Sequence, residues 1–136
     1  MLNHIGPVTL FERATAQAAR VLAGIRPDQL GGPTPCTEWT VQDLVEHMVG
    51  STDHLLGATE ATAGTFMDNL VHTWDLATAT GQDRHLDDEL VEACVAMFLP
   101  DMPERGRAGG IVGRAVAVPA GAPAQDRLLG AMGRHP

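Results

Sequence analysis

The chain has 136 residues and a formal net charge of −8, with 17 acidic residues against 9 basic ones, all of them arginine. That length suits one domain over 1–136 with a hydrophobic core that needs no staples, and 44% apolar with 19% charged residues is an ordinary globular balance. The acidic excess speaks against nucleic acid and against anionic membrane surfaces, since both require clustered positive charge.

In chain order, residues 1–7 have neither a basic start nor an apolar run, so they are not expected to be a signal peptide. Leu10, Phe11, Ala14, Ala18, Val21 and Leu22 recur at helical spacing and predict a first helix over about 8–24, ended by Gly24 and Pro27. Residues 28–35 form a turn-rich link, because GGPTP at 31–35 cannot continue a helix. A second helix opens at Thr40. Thr40 and Asp43 pattern as a capping box with Asp in place of Glu, and Trp39 is placed to staple back onto the first turns. Val41, Leu44, Val45, Met48, Val49, Thr52, Leu55 and Leu56 then form one apolar stripe.

Residues 58–64 are small and polar and read as a weak helix end or a loop. A third helix over about 65–79 puts Phe66, Met67, Leu70, Val71, Trp74 and Ala77 on one face, with Gly81 as the C′ residue. A fourth takes Asp87 as its N-cap and Asp88 and Glu89 at its positive end. It carries Leu90, Val91, Cys94, Val95, Phe98 and Leu99 and stops at the prolines of 100–103. The stretch 101–123 is rich in Gly, Pro and Arg; Ile111-Val112 and 115–118 read as short extended pieces, and a last short helix spans 124–132. No repeat is visible, and no apolar stretch approaches a membrane span. The reading is all-α, four helices with an irregular C-terminal tail.

Chemistry-bearing residues fall on the second and third helices. Asp68 and His72 are four apart, which on a helix brings their Cβ atoms to roughly 5–6 Å and lets a carboxylate and an imidazole share one ion; a solvated pair is the alternative. His47 lies beside the apolar stripe on a seam with Asp43 and His54, where two surface histidines are the alternative. Two His and one carboxylate suit Zn²⁺, Ni²⁺, Fe²⁺ or Mn²⁺ with positions left open for water or substrate. Asp43 or Asp75 is placed to hold a ligand imidazole in one tautomer. Asp68 and His72 fall roughly opposite the Phe66/Leu70/Trp74 stripe, so such a site must face a cavity or another element. Cys36 precedes a helix start, where a thiol can be activated, but a small buried cap residue is the favoured reading. Cys94 is read as core. Neither cysteine belongs to a CxxC pair, and a reduced, cytoplasmic protein is expected. Arg105, Arg107 and Arg114 are read as solubilising a loop, with an anion grip as the alternative.

Three stretches resemble a known family. PTPCTEWTVQDLVEHMVG at 33–50 is similar to the TPC-x-EWT opening of an actinobacterial group within the DinB-like superfamily, related to the metal-binding domain of mycothiol-dependent maleylpyruvate isomerase. DNLVHTWDLATATGQD at 68–83 resembles its second signature, and 116–136 its tail. The resemblance implies a DinB-like helical bundle with one divalent metal, Zn²⁺ first among the candidates, held by His47, Asp68 and His72. It also implies metal-dependent chemistry with a low-molecular-weight thiol such as mycothiol, either isomerisation or thiol S-transfer onto an electrophilic small molecule. The family carries a long stretch with a whole helix between the two signatures, whereas only residues 51–67 join them here. That departure keeps a second function open: a shortened, non-catalytic metal-binding or dimerisation protein without a closed active site. A helical protein without metal is the third. The short middle also predicts a homodimer, because the second and third helices each carry an apolar stripe that needs cover.

Overall fold

A computed structural model of the chain describes residues 7–36, 38–55, 59–98 and 115–136. Among them the regular structure is helical: α1 (Pro7–Ala23), a 3₁₀ turn (Pro27–Gln29), α2 (Val41–Leu55), α3 (Thr59–Thr80), α4 (Asp88–Phe98) and α5 (Ala124–Ala131). The only ladder pairing among the described residues is one isolated antiparallel bridge, Pro33 with Thr40. The fold is all-α, consistent with a DinB-like helical protein. The chain divides into two compact units, Met1–His85 and Leu86–Pro136.

In the first unit α3 packs against both α1 and α2. From α1 come Leu10, Ala14, Ala18 and Val21, a stripe at helical spacing whose alanines let the helix lie close. From α2 come Val41, Leu44 and Met48, which join Ala18, Val21, Leu76 and Ala77 in one cluster. α3 has no solvent side over its second half: 67 and 69–77 are all buried. Its buried threonines are satisfied locally, Thr73 Oγ1 donating to the Asn69 carbonyl at 2.6 Å and Thr80 Oγ1 to that of Leu76 at 2.7 Å.

The helix ends follow from the sequence. Thr40 and Asp43 form the capping box: Asp43 N–H donates to Thr40 Oγ1 (3.2 Å) and Thr40 N–H to Asp43 Oδ2 (3.0 Å). The link supplies the next acceptors, Gly32 O for Val41 N–H and Leu30 O for Gln42 N–H, both at 2.9 Å. With Leu44 N–H on Thr40 O (3.0 Å), the four leading donors of α2 are all satisfied. At the other end of α3, Gly81 takes φ +70° and Gln82 N–H reaches back to Ala77 O (2.9 Å), a Schellman closure. The Gln82 amide then donates to Val21 O and Thr80 Oγ1, each at 2.9 Å, tying the end of α1 to the end of α3. A Cβ at Gly24 would displace that amide and break the tie.

In the second unit Asp87 caps α4 by accepting from Glu89 N–H (3.0 Å) and Leu90 N–H (3.4 Å). Leu86, Leu90, Val91 and Cys94 are buried, as are Leu128, Leu129 and Met132 of the C-terminal segment. Residues 115–118 form no strand; Val116 N–H donates to Gly130 O at 2.8 Å, and a Cβ at position 130 would strike Val116 O.

Two expectations change, and others fall outside the described residues. The stretch 59–64, read as a weak helix end or loop, is the first part of α3, so only 56–58 separates α2 from α3. Val49, assigned to the apolar stripe of α2, is 56% exposed. The expected fourth-helix residue Leu99 and the extended pair Ile111-Val112 lie outside the described residues, as do Arg105, Arg107 and Arg114.

Candidate metal centre

The packing of α2 on α3 brings His47 across from the Asp68/His72 pair. His47 Nε2 lies 3.1 Å from Asp68 Oδ2, and His72 Nε2 lies 3.1 Å from Asp68 Oδ1. One carboxylate thus stands between two imidazoles, with the three possible donor atoms within 4.8 Å of one another. The side chains of His47 and Asp68 remain about a third exposed, at 32% and 34%, while that of His72 is nearly closed off at 10%. The helical wheel had left Asp68 and His72 facing away from the main stripe of α3. In the structure 69–77 are buried all round the helix, and the polar seam of Asp68 and His72 meets His47 of α2.

Asp75, one turn beyond His72 and fully buried, approaches the other ring nitrogen: Asp75 Oδ2 to His72 Nδ1 is 2.9 Å. Of the two acids considered for that place, Asp43 is used instead in the α2 cap. The side chain of His54 is outside what the structure describes. Burial by itself favours the neutral His72 ring, but hydrogen bonds to Asp68, Asp75 and Cys36 outweigh it and push its pKa up to about 11. Burial likewise opposes charge on Asp68, yet His72 and His47 outweigh it and hold the carboxyl below its usual range.

Two residues of this site were assigned elsewhere from sequence. Cys36, favoured as a small buried cap residue, is half-buried, with Sγ 3.2 Å from Asp75 Oδ2 and 3.8 Å from His72 Nδ1. Trp39 packs against the core cluster as a staple would, but its ring also lies 4.7 Å from that of His47 and 5.9 Å from that of His72. Buried Thr34 sets both positions: its Oγ1 accepts from Cys36 N–H at 3.1 Å and meets the Trp39 carbonyl at 2.9 Å. The available signal was the TPC-x-EWT string, which holds Cys36 and Trp39 three residues apart. Cys94, read as core, is buried, and burial pushes its thiol up to about 12.

The chain matches the profile of the Mycothiol maleylpyruvate isomerase N-terminal domain family over residues 11–130. It belongs to this family. Two uncharacterised proteins of Mycobacterium tuberculosis, from the CDC 1551 and H37Rv strains, are each 36% identical over 132 aligned residues, covering 62% of this chain and 72% of the relative. The aligned length exceeds the share of this chain it takes in, so these relatives carry internal residues that this chain lacks. No solved structure matches. No helix among the described residues is long and apolar enough to cross a membrane.

Proposed function

We propose that this chain is a divalent-metal-binding member of the mycothiol maleylpyruvate isomerase N-terminal family, with His47, Asp68 and His72 as ligands. The observation that carries the reading is the placement of the Asp68 carboxylate between His47 Nε2 and His72 Nε2 at 3.1 Å each. The donor set fits a borderline ion: two imidazoles, one carboxylate and an open side, with Zn²⁺ first and Ni²⁺, Fe²⁺ or Mn²⁺ as alternatives. Asp75 fits as well. By accepting from Nδ1 it fixes the tautomer of His72 that leaves the Nε2 lone pair toward Asp68, as outer carboxylates do at metal-bound histidines.

A divalent ion held there would act as a Lewis acid and favour the thiolate form of a bound thiol. The chain's own residues supply the rest. Trp39 covers one side of both imidazoles and limits water, while the exposed edge of His47 and Asp68 is the side open to a small molecule. The family's name supports a low-molecular-weight thiol such as mycothiol as cosubstrate, with S-transfer or isomerisation of an electrophile as the reaction. The internal residues that the relatives have and this chain lacks support a second reading, a non-catalytic metal-binding or dimerisation protein without a closed pocket.

Metal analysis of protein purified without chelators tests the common part. About one divalent ion per chain is expected, lost in His47→Ala and in His72→Ala. Full metal content in either variant overturns the ligand set. Turnover of an electrophile with mycothiol, abolished in His72→Ala, separates enzyme from binding protein.

A further inference from the structure

His72 uses both ring nitrogens. Nε2 faces Asp68 and His47, while Nδ1 faces a second donor set, Asp75 Oδ2 at 2.9 Å and Cys36 Sγ at 3.8 Å, with Sγ and Oδ2 3.2 Å apart. These three donor atoms also lie within 4.8 Å of one another. We propose that Cys36, His72 Nδ1 and Asp75 form a second metal site, for thiophilic divalent cations such as Cd²⁺, which shares the His72 ring with the first donor set and is exclusive with it.

The geometry is close to what coordination requires. A zinc-sized tetrahedral ion with M–S of about 2.3 Å and M–N or M–O of about 2.0 Å spaces its donors roughly 3.3–3.6 Å apart, within about half an ångström of each separation seen here, and the larger Cd²⁺ would spread the set further. The donor chemistry differs from that of the first set, because a sulfur replaces one imidazole and shifts preference toward soft ions. Asp75 is fully buried, with His72 Nδ1 and Cys36 Sγ both within reach of one of its oxygens. The Thr34-held loop sets the position of Cys36, and the turn of α3 that carries His72 also carries Asp75, so the three donors come from two fixed elements.

The proton balance is simple. An ion entering this set takes Cys36 as thiolate, Asp75 as carboxylate and the His72 Nδ1 lone pair, so the protons those atoms carry go to solvent. The ring then keeps its proton on Nε2, which donates to Asp68. A neutral imidazole has one free lone pair, so an ion on Nδ1 removes Nε2 as a ligand, and an ion on Nε2 removes Nδ1. This goes beyond the proposed function and does not depend on it, since His47 and Asp68 take no part.

Titration of the full chain with Cd²⁺, read by the ultraviolet thiolate-to-cadmium charge-transfer band, tests the proposal. The band is expected in the wild type, in Cys94→Ser and in His47→Ala. It is expected to vanish in Cys36→Ser, a near-isosteric change whose fold is checked by circular dichroism, and in His72→Ala. Absence of the band in the wild type overturns the site, as does its survival in Cys36→Ser or its loss in Cys94→Ser. Loss in His47→Ala would show that the sulfur serves the first donor set and overturns a separate site. Two Cd²⁺ per chain with the band present would overturn the exclusion.

Discussion

Asp75→Asn is the most informative single change. The amide keeps the volume of a fully buried side chain, so packing is preserved while the charge behind His72 is removed. The Asp75–His72 bond at 2.9 Å is the one that fixes which nitrogen of the ring is free. Outer-sphere partners of this kind are worth about 10–100-fold in metal affinity, or about 1.4–2.7 kcal/mol. Competition against a chromophoric chelator should show Zn²⁺ affinity falling by that factor with the stoichiometry unchanged. The metal-free protein gives a second readout. His72 has a raised pKa, so its ion pairs contribute stability that is full below about 6.5 and is lost as pH rises through about 11. Removing the Asp75 charge should move the upper end of that window downward, visible in melting temperatures measured across alkaline pH. Unchanged Zn²⁺ affinity, with the alkaline profile of the metal-free protein also unchanged, would refute the role assigned to Asp75.

Other outcomes follow from the same structure. Chelation should lower the melting temperature, since a ligand present at 100 times its Kd stabilises the folded state by about 2.7 kcal/mol; an unchanged value with the metal shown to be gone would count against a site bridging α2 and α3. Thr40→Ala removes the Oγ1 that accepts from Asp43 N–H and should cost about 0.5–2 kcal/mol in denaturant unfolding. A shift within error would mean that water replaces the cap. We expect a homodimer in sedimentation from the short stretch between the two signatures, weakened by Val49→Asp at the large apolar side chain that stands 56% exposed on α2. A monomer at micromolar concentration would refute it.

Helix boundaries were legible where local chemistry marks them. Thr40, Gly81 and Asp87 each do what their side chain or backbone freedom predicts. The beginning of α3 was not legible, because TEATAG at 59–64 has no apolar period and mixes good helix formers, Glu60, Ala61 and Ala63, with poor ones, Thr59, Thr62 and Gly64. Candidate donors on the helices could be found from i, i+4 spacing. The seam they share could not, since a wheel assumes one dry face and α3 is buried on every side over 69–77. Cys36 and Trp39 were beyond spacing arguments because a loop places them, and the fold of that loop depends on which carbonyls Thr34 reaches.

The brevity of the connection between α2 and α3 bears on the order in which the molecule assembles. His47 and Asp68 are 21 residues apart in sequence, fewer than separate any residue of α1 from α3, so bringing these side chains together closes off less chain than docking α1 does. Closure entropy rises with loop length, and contacts of short sequence separation form fast. The α2–α3 hairpin is therefore expected to gain amide protection before α1 docks, and metal added during refolding should speed this step. Pulse-labelled hydrogen exchange with and without Zn²⁺ would show it; protection of α1 ahead of the hairpin would place the nucleus elsewhere.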